Sequence, residues 1–131
     1  MDIECGTDII EIYRIKNAIE NSKEAFINRI FTQNEIEYCE SKKMMKYQHY
    51  AARFAAKEAI YKSISPKDCE LCWKDIEIIN NEFGKPEVFL HNEMENLKNK
   101  LNIKKIVLSL SHCKEYATAS AILMKGEHID G

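Results

Sequence analysis

Residues 51–62 constrain the fold more than any other part of the chain, because they suit a helix and little else. Five alanines fall between Ala51 and Ala59, and neither glycine nor proline occurs from Ala51 until Pro66. Alanine has the highest helix propensity, and the lysines and the glutamate among the alanines are also good helix formers. The sequence therefore predicts a long helix whose small side chains allow another element to approach closely.

The charged residues of this predicted helix have two interpretations. Glu58 and Lys62 lie one turn apart on the same face, and Arg53 and Lys57 form a second pair with that spacing. They could form an ordinary solvated face, where such charges contribute little to stability. They could instead form a site, if other polar residues of the chain lie beside them.

Length and charge restrict the class of protein. The 131 residues suffice for one domain, spanning residues 1–131, with a hydrophobic core. The net charge of −2 argues against a general nucleic-acid binder, which usually carries a basic excess. No apolar run is long enough to span a membrane, and residues 1–4 are acidic where a secretory signal is basic. We therefore expect a cytoplasmic protein with neither a nucleic-acid nor a membrane partner.

Cys69 and Cys72 form a C-x-x-C pair, which could be half of a zinc site or a redox pair. A zinc ribbon needs a second pair of ligands at a similar spacing, and the sequence contains none. The five cysteines of the chain are scattered and odd in number. We interpret them as free thiols in a reducing cytosol.

The hydrophobic pattern predicts an α+β domain with an antiparallel sheet and a long central helix. The helical half precedes Pro66, and most of the sheet follows it. Gly6, inside the first strand, marks either a bulge or a close approach of another element. The expected strands cover residues 3–12, 75–80, 87–90, 105–111 and 116–124. The expected helices begin near residue 14, after a Ser22 cap, at the Thr32–Glu35 capping box (ending near Ser41), near residue 45 (ending at Ile64) and at an Asn92 cap.

Asp8 is the first candidate for chemistry. A carboxylate among isoleucines needs a partner or an exposed strand end, and a turn or cap aspartate is the ordinary alternative. If Asp8 meets Glu58, two carboxylates from distant parts of the chain suit a hard cation such as magnesium. Arg53, Lys57 and Lys62 could then neutralise phosphate charge. The residues alone thus indicate a magnesium-dependent site for a phosphorylated ligand.

Two further segments carry weaker signals. Ser109, Ser111 and His112 end a predicted strand with groups that can bind an anion. They lack the acid partner and the turn context of a hydrolase triad, which argues against serine catalysis. Residues 84–86 (Gly-Lys-Pro) match neither a Walker nor a dinucleotide pattern and are more typical of a turn.

Taken in order, these segments resemble the motifs of the phosphopantetheinyl transferases. The length of the chain is similar to that of the short holo-(acyl carrier protein) synthase branch, and the resemblance extends from Gly6 to about Ala121. The matching segments are Gly6–Ile10 with Arg14, Phe31-Thr32 with Glu35, Arg53–Ala59 with Lys62, Gly84–Pro86, and Ser109–His112 with Tyr116-Ala117.

The resemblance implies transfer of 4′-phosphopantetheine from coenzyme A to a serine of apo acyl carrier protein, in support of fatty acid biosynthesis. Asp8 and Glu58 would bind magnesium, with manganese as an alternative. Lys62 would contact the pyrophosphate and assist the leaving group, and Glu58 would accept the serine proton. Ile10, two residues after Asp8, is not an acid, so only two carboxylates are assigned to the metal. Waters would complete its coordination shell.

The resemblance also implies the remaining contacts. Arg14 would receive the acidic helix of the carrier protein, with Lys16 and Lys23 as helpers. The enzyme would be a homotrimer with coenzyme A between subunits. The residues implied to bind coenzyme A are Arg53, Lys57, Lys62, Gly84, Lys85, Pro86, Ser109, Ser111 and His112.

Two other functions share parts of this pattern. A magnesium-dependent nucleotide phosphohydrolase would use the same carboxylates and lysines but would attack with water. A non-catalytic module could bind coenzyme A or a carrier protein, although binding alone does not require Asp8, Glu58 and Lys62 together.

Overall fold

The α+β prediction is confirmed by the computed structural model, which describes residues 2–22, 24–66 and 72–126. Within those residues, the helices and strands follow one another in nearly the predicted order. In chain order they are β1 (Asp2–Glu11), α1 (Ile12–Ser22), α2 (Glu24–Ile30), α3 (Gln33–Ser41), α4 (Lys46–Ile64), β2 (Ile76–Asn80), β3 (Pro86–Leu90), α5 (Asn92–Lys100), β4 (Ile103–His112) and β5 (Tyr116–Lys125).

The described strands form two antiparallel sheets. One sheet has the order β1-β5-β4, and the other is the β2-β3 hairpin. The register places Gly6 opposite Ala121 and Asp8 opposite Ala119. Because side chains alternate between the faces of a strand, Gly6 and Asp8 lie on the same face of the sheet.

That face packs against α4, and the backbones of β1 and α4 approach each other closely at Gly6. A Cβ atom at Gly6 would lie 2.0 Å from the carbonyl oxygen of Ala59. Of the two roles predicted for Gly6, the structure therefore supports the close approach. Ala55, Ala56 and Ala59 are fully buried in this contact region, so the small side chains of α4 bring the sheet and the helix together.

The hydrophobic core has two parts, which contact successive portions of α4. One part joins α4 to the sheets through residues such as Ile60, Ile78 and Leu123. The other joins α4 to the three N-terminal helices through residues such as Ile15 and Phe31. Since α4 contributes to both parts, its rotation and position are tightly determined.

A buried polar network connects α3, α4 and β2. The capping box of α3 is confirmed: Glu35 N donates to Thr32 Oγ1, and Thr32 N donates to Glu35 Oε1. The carboxylate of Glu35 also accepts from Lys57 Nζ at 2.8 Å and from Ile78 N at 2.9 Å. Lys57 Nζ donates further to the carbonyl oxygens of Trp73 and Ile76.

Two predicted caps are wrong. Ser22 is the last residue of α1, where its hydroxyl donates to the carbonyl of Ala18 instead of capping α2. Asn92 is the first residue of α5, and its amide donates to Asp75 Oδ1 at 2.9 Å. In both places a nearby acceptor competes with the helix terminus for the side chain.

The structure bears on parts of the cysteine and membrane predictions. Cys69 lies outside the described residues, and Cys72 is an exposed free thiol. Across residues 2–22, 24–66 and 72–126, no helix combines the length and apolarity needed to cross a membrane.

Candidate active site

Asp8 and Lys62 meet where β1 passes α4. Lys62 Nζ donates to Asp8 Oδ1 at 2.9 Å and to the carbonyl of Thr7 at 3.2 Å. The Asp8 side chain is 17% exposed, whereas that of Lys62 is 51% exposed. The pair therefore lies at an accessible edge of the contact between the helix and the sheet.

Glu58 adds a second carboxylate to this group. Its pKa is raised by partial burial and by the negative charge of Asp8, while Lys62 acts in the opposite direction. The pKa of Lys62 is raised by its hydrogen bond to Asp8 and by both negative charges. The structure thus brings together Asp8, Glu58 and Lys62, with one more negative charge than positive when all three are ionised.

This acidic group is a small donor set for a metal. Among the described residues, no three His, Cys, Asp or Glu side chains are arranged to hold a metal ion. A cation at Asp8 and Glu58 would therefore take its other ligands from water or substrate, as magnesium commonly does.

A second group of predicted residues lines a cavity of about 400 Å³ between α4, the β2-β3 turn and β4. The turn is stabilised by the hydrogen bond from Gly84 N to Asn81 O, and Gly84 has a φ of 80°, which favours glycine. The predicted ligand-binding residues that line the cavity are Arg53, Gly84, Lys85, Pro86, Ser109 and His112.

Arg53 is the most buried charged residue of this cavity, with 2% of its surface exposed. Its Nη2 donates to Asn80 Oδ1 at 3.1 Å, and its guanidinium lies 4.0 Å from the centre of the Tyr38 ring. Its buried Nε has no hydrogen-bond partner. A buried donor without a partner costs stability.

The predictions missed His49, which lines the same cavity. Its ring lies 5.5 Å from that of Tyr38 and 5.6 Å from that of His112. The pKa of His49 is lowered to about 4, first by burial and then by the charges of Arg53, His112 and Lys42. The spacing of four residues between His49 and Arg53 in a predicted helix is the signal that could have identified it.

Three residues predicted to bind coenzyme A do not line the cavity: Lys57, Ser111, and Lys62, which pairs with Asp8 instead. Lys57 has no exposed side-chain surface, and its three donors are directed to Glu35, Trp73 and Ile76. The prediction that Lys57 contacts coenzyme A is therefore corrected, because its ammonium group is used inside the fold. Ser111 is exposed on β4 and lies outside the cavity lining.

The carboxylate group and the cavity lie at different edges of the three-stranded sheet. Asp8 is on β1, the cavity borders β4, and β5 runs between them. Two strand spacings correspond to about 9–10 Å. Arg14 is at a third place, exposed on α1, with its Nε 3.6 Å from Glu11 Oε1.

The family model for the 4′-phosphopantetheinyl transferase superfamily matches residues 4–121. The chain belongs to this superfamily. It is similar to a holo-[acyl-carrier-protein] synthase of Ruminiclostridium cellulolyticum, with 47% identity over 128 residues, covering 97% of this chain and 96% of the relative. The resemblance inferred from the motifs is thus confirmed, and this member of the superfamily is a transferase.

Solved structures of the superfamily share its fold. The holo-ACP synthase of Plasmodium yoelii has a TM-score of 0.81 and 31% identity, covering 97% of this chain and all of that one. The Helicobacter pylori holo-[acyl-carrier-protein] synthase in complex with coenzyme A has a TM-score of 0.79 and 29% identity, covering 92% of this chain and 99% of that one.

Proposed function

We propose that this enzyme transfers 4′-phosphopantetheine from coenzyme A to a serine of an apo acyl carrier protein. The serine oxygen forms the new bond to phosphorus, the pyrophosphate bond breaks, and adenosine 3′,5′-bisphosphate leaves with the electron pair. The observation that carries the proposal is the meeting of Asp8, Glu58 and Lys62 at one accessible edge. The names of the relatives and the coenzyme A bound to the Helicobacter pylori structure support it.

A magnesium ion fits the acidic group, since Asp8 and Glu58 offer hard oxygen donors whose charges repel each other. These two residues would hold it, and manganese is an alternative. When bound, the ion would act as a Lewis acid on the pyrophosphate oxygens. Lys62, which already pairs with Asp8, places a further positive charge beside the leaving group.

Glu58 is the residue that we assign to accept the proton of the serine hydroxyl. Its burial and the nearby charge of Asp8 raise its pKa, which strengthens it as a base. It lies on a rigid helix beside the proposed metal position, so it can hold the proton close to the reacting atoms.

We assign the nucleotide end of coenzyme A to the cavity that contains Arg53, Lys85, Ser109 and His112. Cations without a neighbouring carboxylate suit a phosphate group. We further propose that two subunits complete each coenzyme A site, with the cavity of one subunit beside the acidic group of another.

The proposed assembly is a homotrimer. The sheet face opposite α4 exposes large apolar side chains, with Ile3 61%, Ile9 63% and Ile122 42% exposed, and such a face is typical of an interface. We expect sedimentation equilibrium at micromolar protein to give the mass of three chains. A single-chain mass at all concentrations would contradict the shared site.

The carrier protein is proposed to dock on α1. Arg14 is exposed there, with Lys16 nearby, so an acidic helix would find complementary charge. Lys23, the other suggested helper, lies outside the described residues. Fatty acid synthesis is the expected pathway of the carrier protein, and the cytoplasmic location stays a prediction.

The test is the intact mass of an apo acyl carrier protein incubated with the enzyme, coenzyme A and magnesium. We expect a gain of one phosphopantetheine group, lost when a chelator is added and restored by excess magnesium. Coenzyme A turnover without carrier protein would favour the phosphohydrolase instead. Bound coenzyme A without any transfer to several carrier proteins would favour the binding module.

A further inference from the structure

The cavity at β4 contains more basic side chains than the motifs indicated. Arg53, Lys85, His49 and His112 all line it, and none of its described lining residues is acidic. The partnerless Nε of Arg53 is buried in the same region. A site with this lining has a positive potential that only an anion can balance.

We propose that His49 binds a phosphate monoester in this cavity and that the His49 ring takes up a proton when the phosphate enters. The proposal rests on the assignment of the nucleotide end of coenzyme A to the cavity. It makes His49 a binding residue of the enzyme and makes nucleotide affinity dependent on pH.

The surroundings of His49 provide the physical reason. The charged groups near it are all cations, and they come from every element packed around the cavity. Arg53 is on α4, Lys42 follows α3, His112 ends β4, and Lys85 is in the β2-β3 turn. Tyr38 of α3 contributes a neutral ring.

In the free protein, partial burial and these cations lower the pKa of His49 to about 4, so the ring is neutral at pH 7. A bound phosphate dianion reverses the sign of the local potential, so the protonated ring becomes the favoured form. The ring centroids of His49 and His112 lie 5.6 Å apart, and both rings line the cavity that the anion would occupy.

The sign of the pH dependence follows from linkage. Because the complex binds more protons than the free protein, affinity should fall as the pH rises between the two protonation midpoints. The slope cannot exceed about tenfold in affinity per pH unit for one proton. Above the midpoint of the complex, the contribution of His49 is lost.

The experiment is calorimetric titration of adenosine 3′,5′-bisphosphate into the full-length enzyme at pH 6.5 without a divalent metal. Two buffers with different ionisation enthalpies then give the number of protons taken up on binding. We expect wild-type enzyme to take up roughly one proton more than the His49→Gln and His49→Phe variants. The free nucleotide has the same protonation state in every titration, so a difference in proton uptake between wild type and the variants reflects the site that holds the nucleotide.

The control variant is His91→Gln. His91 is exposed, pairs with Glu77 at 3.0 Å and lies outside the cavity lining, so proton uptake should equal that of wild type. His49 is only half-buried, and His49→Phe keeps an aromatic ring against Tyr38, so both variants are expected to fold.

Binding with unchanged proton uptake in both His49 variants would overturn the proposal while leaving the transferase assignment intact. Absence of nucleotide binding to wild-type enzyme would overturn the proposal and the cavity assignment together. The carrier-protein mass assay separates these outcomes, because it does not depend on the proton count.

Discussion

Replacing Glu58 with glutamine is expected to lower the rate of phosphopantetheine transfer by at least about 10²–10⁴-fold, the usual contribution of a general base. Glutamine keeps the size of the side chain but can neither accept the serine proton nor offer a charged oxygen to magnesium. The initial rate of mass gain on an apo acyl carrier protein, measured at saturating coenzyme A and magnesium, would quantify the loss.

The fold should survive this substitution. In the native protein, burial and Asp8 raise the pKa of Glu58, so its ionised form costs stability at neutral pH. That cost is present above the folded-state pKa and disappears as the pH falls below the unfolded value. The neutral glutamine should therefore unfold at an equal or higher urea concentration than wild type at pH 7.

The matched control is Glu95→Gln, which removes an exposed carboxylate from α5, far along the chain from the site. Its transfer rate should stay within about twofold of wild type, since surface changes of this kind have small effects. Wild-type activity in Glu58→Gln would reject the site assignment.

Replacing Lys57 with methionine should be among the most destabilising single changes to the chain. It would leave the Glu35 carboxylate, 1% exposed, without its counter-charge and with only its backbone donors. Removing one partner of a buried ion pair costs about 3–5 kcal/mol. We expect the urea midpoint to fall accordingly, as measured by circular dichroism.

Two comparisons make this prediction specific. In the double variant Glu35→Leu, Lys57→Met, no charge is left unpaired, so it should be more stable than Lys57→Met alone. Lys46→Met breaks the partly exposed pair of Lys46 and Glu40 at 3.4 Å and should cost at most about 1 kcal/mol. Equal stability losses in Lys46→Met and Lys57→Met would show that burial does not decide the contribution of the pair.

Local sequence was sufficient for most of the fold. The alanine-rich segment predicted α4, and its observed range of Lys46–Ile64 agrees with the expectation to one residue at the start. The Thr32–Glu35 capping box was also predicted correctly, because both of its hydrogen bonds join residues three positions apart. The wrong caps, Ser22 and Asn92, are places where an acceptor outside the predicted pattern took the hydrogen bond.

For the candidate site, the sequence by itself determined which residues have side chains capable of catalysis or binding. Only the tertiary structure decided the environment of each of them. Residue types and helical spacing identified Asp8, Glu58 and Lys62, and the motif order indicated the superfamily. The burial of Lys57 against Glu35, by contrast, depends on the packing of α3 and β2 on α4. His49 acquired its place beside His112 in the same way, because β4 is 63 residues further along the chain. Spacing along a helix specifies which face a charged residue occupies. Whether that face meets solvent, a carboxylate or a ligand cavity is determined by contacts between residues distant in sequence.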